Sequence, residues 1–151
     1  MIPTYGFRCK YKSIDLTGGS IADAFTISGG PVFCVLMAME LTTLQDQPCT
    51  MAWQSDPTLD GGASGPTPIA AAYDMNALET GDWVFAEGDA TELVPRAIGV
   101  RLAQGIGGDT TGYILPVGGI DIIMADNSPT TGAGMMYIIY MPMTPNAVIS
   151  G

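Results

Sequence analysis

The longest nearly uncharged apolar run in the chain is Pro31–Leu44, PVFCVLMAMELTTL. Val32, Phe33, Val35, Leu36, Met37 and Met39 follow one another with almost no polar relief, so a strand here is apolar on both faces and needs cover on both. Gly29, Gly30 and Pro31 break the chain before it and Gln45, Asp46, Gln47 and Pro48 after it. These breaks predict a central strand between turns; a buried helix of three turns is the alternative for a run this short. About ten apolar residues fall short of the roughly 20 that a membrane-crossing helix needs.

Around this run the pattern is one of short strands. Ser13–Leu16 closes on Thr17-Gly18-Gly19, and Ala24–Ile27 closes on Ser28-Gly29-Gly30. Cys49–Ser55 alternates, with Met51 and Trp53 on one face and Thr50, Ala52 and Gln54 on the other. Asp56–Pro68 holds three Gly and three Pro and predicts a long polar turn region. The alanine cluster after Ile69 and the segment DMNAL suit one helical turn, with Asp74 as its N-cap. Gly81–Asp89 reads as a strand, and Glu92–Leu102 as another in which Pro95 marks an edge or a bulge. After the glycine-rich stretch 104–112, Tyr113–Leu115, Gly119–Met124 and Met135–Met141 predict further strands. In the last, Met136, Ile138 and Tyr140 face one way and Met135, Tyr137, Ile139 and Met141 the other. No long helical period occurs. Eight or so strands joined by Gly, Pro and Asp turns predict an all-β fold, a β-sandwich of jelly-roll type, with an open barrel as the less favoured form.

Composition adds the expectation of covered surface. The chain of 151 residues is 47% hydrophobic and only 13% charged, with positive mean hydropathy of +0.29, against about 25% charged in an average soluble domain. Fewer charges leave less surface that must face water, which predicts a homo-oligomer or a subunit of a larger assembly. Five basic residues stand against fifteen acidic ones, for a net charge of −10. Three of the five, Arg8, Lys10 and Lys12, lie in the first twelve residues, which carry no acid. Spaced by two, they share one face of an extended segment. Residues 1–12 are therefore read as an extended basic N-terminal arm, with Tyr5, Phe7, Arg8, Lys10 and Lys12 docking on an acidic neighbour, and residues 13–151 as one β-sandwich domain. A lysine-protected edge strand is the equal alternative. A body this acidic repels duplex nucleic acid, so no nucleic-acid partner is expected, and no membrane partner either.

Candidate chemistry is sparse. There is no histidine, which removes Ser-His-Asp and Cys-His catalysis and the commonest zinc ligand. Cys9, Cys34 and Cys49 form no CxxC pair and suggest no disulfide framework; Cys34, inside the apolar run, reads as a small buried hydrophobe. The N-terminus lacks a secretory pattern, and synthesis in a reducing cytosol is expected. GIGGDTTG, residues 105–112, lacks the lysine of a phosphate loop and reads as a plain loop. Glu87, Asp89 and Glu92 offer hard oxygens for calcium, but their spacing does not match an EF-hand, and solvated turn acids are the simpler reading. Trp53 and Trp83 each sit in an apolar strand and read as core rather than as a sugar platform. No cofactor and no enzymatic activity are expected.

The segments KSIDLTGGSIADAFTISGG, MAWQSDPT, GDWVFAEGD and GGIDIIMADNSPTTGAGMMYIIYMPM resemble small acidic virion proteins of tailed bacteriophages, in particular head decoration or cement proteins. The resemblance spans most of residues 12–142 and lies in texture and turn pattern. It implies a β-sandwich, often trimeric, that binds the major capsid protein across capsomer junctions on the outer surface of the head, after synthesis in the host cytoplasm. A tail or baseplate role shares this composition. A calcium-assisted carbohydrate-binding module is the alternative from another class.

Overall fold

Most successive strands of the chain cross from one sheet to the other, and two antiparallel sheets packed face to face result. The structure is a computed structural model that describes residues 6–58, 66–86, 94–96, 112–125 and 129–151. Its strands are β1 (Arg8–Asp15), β2 (Ile21–Ser28), β3 (Val32–Thr43), β4 (Thr50–Pro57), β5 (Thr67–Asp74), β6 (Trp83–Ala86), β7 (Val94–Arg96), β8 (Tyr113–Leu115), β9 (Gly118–Ala125), β10 (Ala133–Pro142) and β11 (Val148–Ser150). Sheet A runs β1-β10-β3-β6-β7, with β8 also pairing β3, and sheet B runs β11-β2-β9-β4-β5. The all-β sandwich expected from the strand pattern is what the chain forms.

The apolar run becomes β3, the central strand of sheet A. Its Val32–Thr43 length is paired to β10 on one edge, and to β6 and β8 on the other. Val32, Cys34, Met37, Met39 and Leu41 point into the sandwich and are fully buried. They meet Met51, Trp53, Ile120 and Ile122 of sheet B, also fully buried, and Phe25 and Ile27 of β2. Strict alternation along β10 sends Met136, Ile138 and Tyr140 to this core. Tyr140 Oη accepts the Ile149 backbone N–H at 3.2 Å, which ties the last strand to the opposite sheet. Gly134 is forced by the packing: a Cβ there would lie 2.6 Å from Met39 Sδ.

The structure differs from the sequence expectations in three places of this fold. The alanine cluster after Ile69 is strand, because β5 pairs with β4 from Thr50↔Asp74 to Ser55↔Thr67 and tertiary pairing outweighs alanine's helix propensity. The one helical turn expected next to it does form, as a 3-10 turn over Met75–Ala77 with Asp74 as its N-cap, accepting the Asn76 N–H at 2.9 Å. Strand β11 was not among the predicted elements. Finally, from Arg8 onward the expected arm is an edge strand: β1 pairs with β10 along Arg8–Asp15, so the boundary at residue 12 falls inside a strand. Pro95 lies in β7, an edge strand, as its missing donor requires.

One end of the sandwich is tied by loop contacts. Asp46, between β3 and β4, accepts from the backbone of Thr130 at 2.7 Å and of Thr131 at 3.1 Å, and from the Thr130 hydroxyl. Thr131 Oγ1 donates to the Leu44 carbonyl at 2.9 Å. The turn after β1 joins the same end through Leu16 N–H to the Gly132 carbonyl, 3.0 Å, and Gly18 N–H to the Pro129 carbonyl, 3.0 Å.

Candidate docking surfaces

The basic row of β1 points inward. Lys10, Lys12 and Ile14 share the face turned toward sheet B, where Lys12 Nζ donates to the Ala24 carbonyl at 3.1 Å and lies 6.0 Å from the Phe25 ring centre. Arg8 donates to the Ala147 carbonyl at 3.3 Å. The long aliphatic stems cover the open edge of the sandwich while their charged heads satisfy backbone carbonyls of β2 and the turn before β11. Inward charges of this kind also block edge-to-edge pairing. Phe7, just ahead of β1, is 67% exposed. Tyr5 lies outside the described residues, as do Glu87, Asp89 and Glu92, the calcium candidates, and residues 105–111 of the glycine-rich loop.

The opposite face of β1 opens onto an apolar surface. Register across sheet A aligns Tyr11 with Tyr137, Tyr137 with Ala38, and Ala38 with Phe85, one row across four strands on the outside of the sandwich. The next row aligns Ser13, Met135, Glu40 and Trp83. The rings touch: Trp83 stacks on Tyr137 at 5.4 Å between centres, Tyr11 lies 6.2 Å from Tyr137, and Phe85 lies 6.2 Å from Trp83. Ala38 is fully buried, although its register lies on the outer face between these aromatic neighbours. Ile139, Met141, Phe33 and Leu36 continue the surface half-buried, and Ile114 at its rim is 64% exposed. Among the described side chains of this face Glu40 is the one charge within the apolar area, with Asp15 beyond it at the strand end.

Trp83, expected in the core, therefore lies on the outer face, in the row of Met135 and Glu40, whereas Trp53 is core as expected. Alternation alone leaves open which face of β6 meets the core, since Val84 and Ala86 are as apolar as Trp83 and Phe85.

Sheet B presents the contrary surface. Asp121, 6% exposed, accepts the Asp23 backbone N–H at 2.8 Å and a Gln54 Nε2 hydrogen at 3.1 Å. Asp23 holds a φ of 50° at the irregular middle of β2, a left-handed conformation that Asp tolerates better than most residues. Thr26, Thr50 and Asp56 keep this face polar. Groups of three or more metal-ligating side chains are absent among the described residues. No described helix is long and apolar enough to cross a membrane.

Three groups carry shifted protonation. Hydrogen bonds from the Thr17 hydroxyl and backbone hold Asp15 below the ordinary carboxylate range, and those of Thr130 and Thr131 do the same for Asp46. Burial pushes the Cys34 thiol up to about 12, so it stays protonated and inert. Cys49 is also buried, and Cys9 is exposed on the outer face of β1. Comparison of the chain with protein-family models, with curated proteins and with solved structures finds no match.

Proposed function

We propose that the protein is a structural virion protein, a capsid decoration or cement protein that binds the outside of a phage head as an oligomer and stabilises the shell. The observation that carries this reading is the outer face of sheet A, where Tyr11, Tyr137, Trp83 and Phe85 form a contiguous aromatic surface with Glu40 as its inner charge. Large apolar patches on small domains mark surfaces that a partner covers. The strand orders support the jelly-roll form of the sandwich, since β1-β10-β3-β6 in one sheet faces β2-β9-β4-β5 in the other. Decoration works by multivalency: each copy adds a modest contact, and an oligomer engaging several capsid subunits holds through effective concentration. On the resemblance the oligomer is a trimer and its partner the major capsid protein. Arg8 and Lys12 serve the sandwich's own edge in this reading, so the aromatic face is left to hold the copies of the oligomer together and Phe7, exposed ahead of β1, to reach the shell. The test is co-sedimentation with undecorated heads: the protein pellets with heads and raises their resistance to heat, and a protein that stays in the supernatant at saturating concentration overturns the reading.

A second reading, a calcium-assisted carbohydrate-binding module, is favoured by the position of Trp83 on the outer aromatic face. It predicts retention on a glycan column that Trp83→Ala abolishes. A tail or baseplate role is the same proposal with a different virion partner, and pelleting with tails instead of heads identifies it.

A further inference from the structure

We infer that the outer face of sheet A is where a second copy of this chain seats, sheet against sheet; this rests on the assembly reading above, and the pair, being one face packed on itself, closes at a dimer in place of the trimer that the resemblance implies. Charge distribution is the first argument. The chain carries a net −10, which opposes self-association through most of its surface, yet on this face Glu40 is the one acid among Tyr11, Tyr137, Trp83, Phe85 and Met135, with Asp15 at the strand end and the register carrying the row on from Trp83 to the basic position Arg96. The acids Asp23, Asp56 and Asp121 lie on sheet B, the far side of the sandwich. With sheets about 10 Å apart, stacking two copies through sheet A separates the two acidic outer faces by roughly 30 Å. That is several Debye lengths at physiological salt, about 8 Å each, so the repulsion is screened.

Area is the second argument. At about 3.3 Å per residue and 4.8 Å between strands, the outward face of β1, β10, β3, β6 and β8 has a flat footprint of roughly 590 Å² per copy. Side chains standing off the sheet raise the accessible area above that, so two copies together reach the ~1,000 Å² that a specific interface needs. The third argument concerns the direction of growth. Lys10 and Lys12 point inward along the free edge of β1, which disfavours a partner strand there and leaves the flat face as the route of contact. Two such faces pack as the aligned sheets of a sandwich do, and each ring row finds an apolar surface of its own kind.

The experiment is sedimentation velocity of the purified full chain at micromolar concentrations, with Tyr137→Glu, Tyr11→Glu and, on sheet B, Thr26→Glu. Tyr11 is 65% exposed, so Tyr11→Glu leaves the fold intact where Tyr137→Glu fails to fold. The expected result is an oligomeric wild type whose dissociation constant rises at least tenfold in the two sheet A variants and is unchanged in Thr26→Glu. A wild type that stays monomeric, or an oligomer that both sheet A variants leave unmoved, overturns the inference. A monomer that pellets with heads, and whose Tyr11→Glu variant does not, puts the shell on this face: the second copy is then ruled out and the decoration reading survives. A protein that self-associates through this face but ignores heads separates the two in the opposite sense.

Discussion

The two outer faces of the sandwich share one core and are built on opposite rules. Sheet B turns Thr26, Thr50, Gln54 and Asp56 to water, and its buried carboxylate, Asp121, is satisfied by a backbone amide and a side-chain amide. Sheet A turns Tyr11, Tyr137, Trp83 and Phe85 outward. A sheet with one wet face needs apolar residues at every second position only, whereas a sheet covered on both sides uses them throughout. The run Val32–Met39 obeys the second rule and β4 the first. The difference teaches that high overall apolarity here comes from one surplus face and not from an enlarged core.

The severest way to break the comparison is to remove what both faces rest on. Trp53→Ala empties the centre of the core, where the indole is fully buried, and should lower stability by about 3–5 kcal/mol in urea denaturation. Next comes a contrast between the faces themselves. Asp121→Ala leaves the Asp23 amide and Gln54 without their acceptor and should cost about 2–3 kcal/mol. Tyr137→Ser removes ring contacts to Trp83 and Tyr11 and should cost about 1 kcal/mol at low protein concentration, since aromatic pairs contribute roughly that much. Equal costs at the two positions would mean that the faces do not differ in the way described.

A smaller effect separates both faces from the loops joining them. Asp46 is held below its ordinary value by Thr130 and Thr131. A carboxylate whose folded value is depressed stabilises fully above its unfolded value, about 3.9, and that stability is lost as pH falls through the folded one. Wild type should therefore melt above Asp46→Asn at pH 6, and the two curves should converge as pH drops below about 4. Asp15, held by Thr17, acts in the same direction. The smallest effect is on stability altogether. Cys9→Ser should leave the melting temperature unchanged yet abolish the fast thiol reaction of the native protein, because Cys34 and Cys49 are buried and should react only on unfolding.

Much of the fold was legible in the sequence. β3 and β10 announce themselves through unbroken or alternating apolar positions bounded by Gly and Pro, and Asp74 signals its cap through side-chain chemistry alone. What stayed hidden depends on tertiary context. β5 is alanine-rich and becomes strand only because β4 pairs with it. β11 spans Val148–Ser150, too short for a period to register. Arg8 and Lys12 look like solvent-facing charges, and only the opposite sheet reveals that their heads find carbonyls. The aromatic surface was half legible: the alternation of Met135, Tyr137, Ile139 and Met141 was plain, but which side faces outward follows from the register with β1 and β3.

The pairing of β1 has a consequence for how the chain is made. Arg8 lies opposite Tyr140 in the ladder, so β1 leaves the ribosome long before β10 and waits for it before its hydrogen bonds can close. At synthesis rates of roughly 5–20 residues per second the wait is on the order of 7–25 s. Topologies dominated by such distant pairings also fold slowly, in milliseconds to seconds. During that interval β3, the most apolar segment of the chain, lacks β10, the partner along its whole length. The basic side chains of β1, inward in the finished sandwich, then face water and keep the waiting edge soluble until β10 arrives.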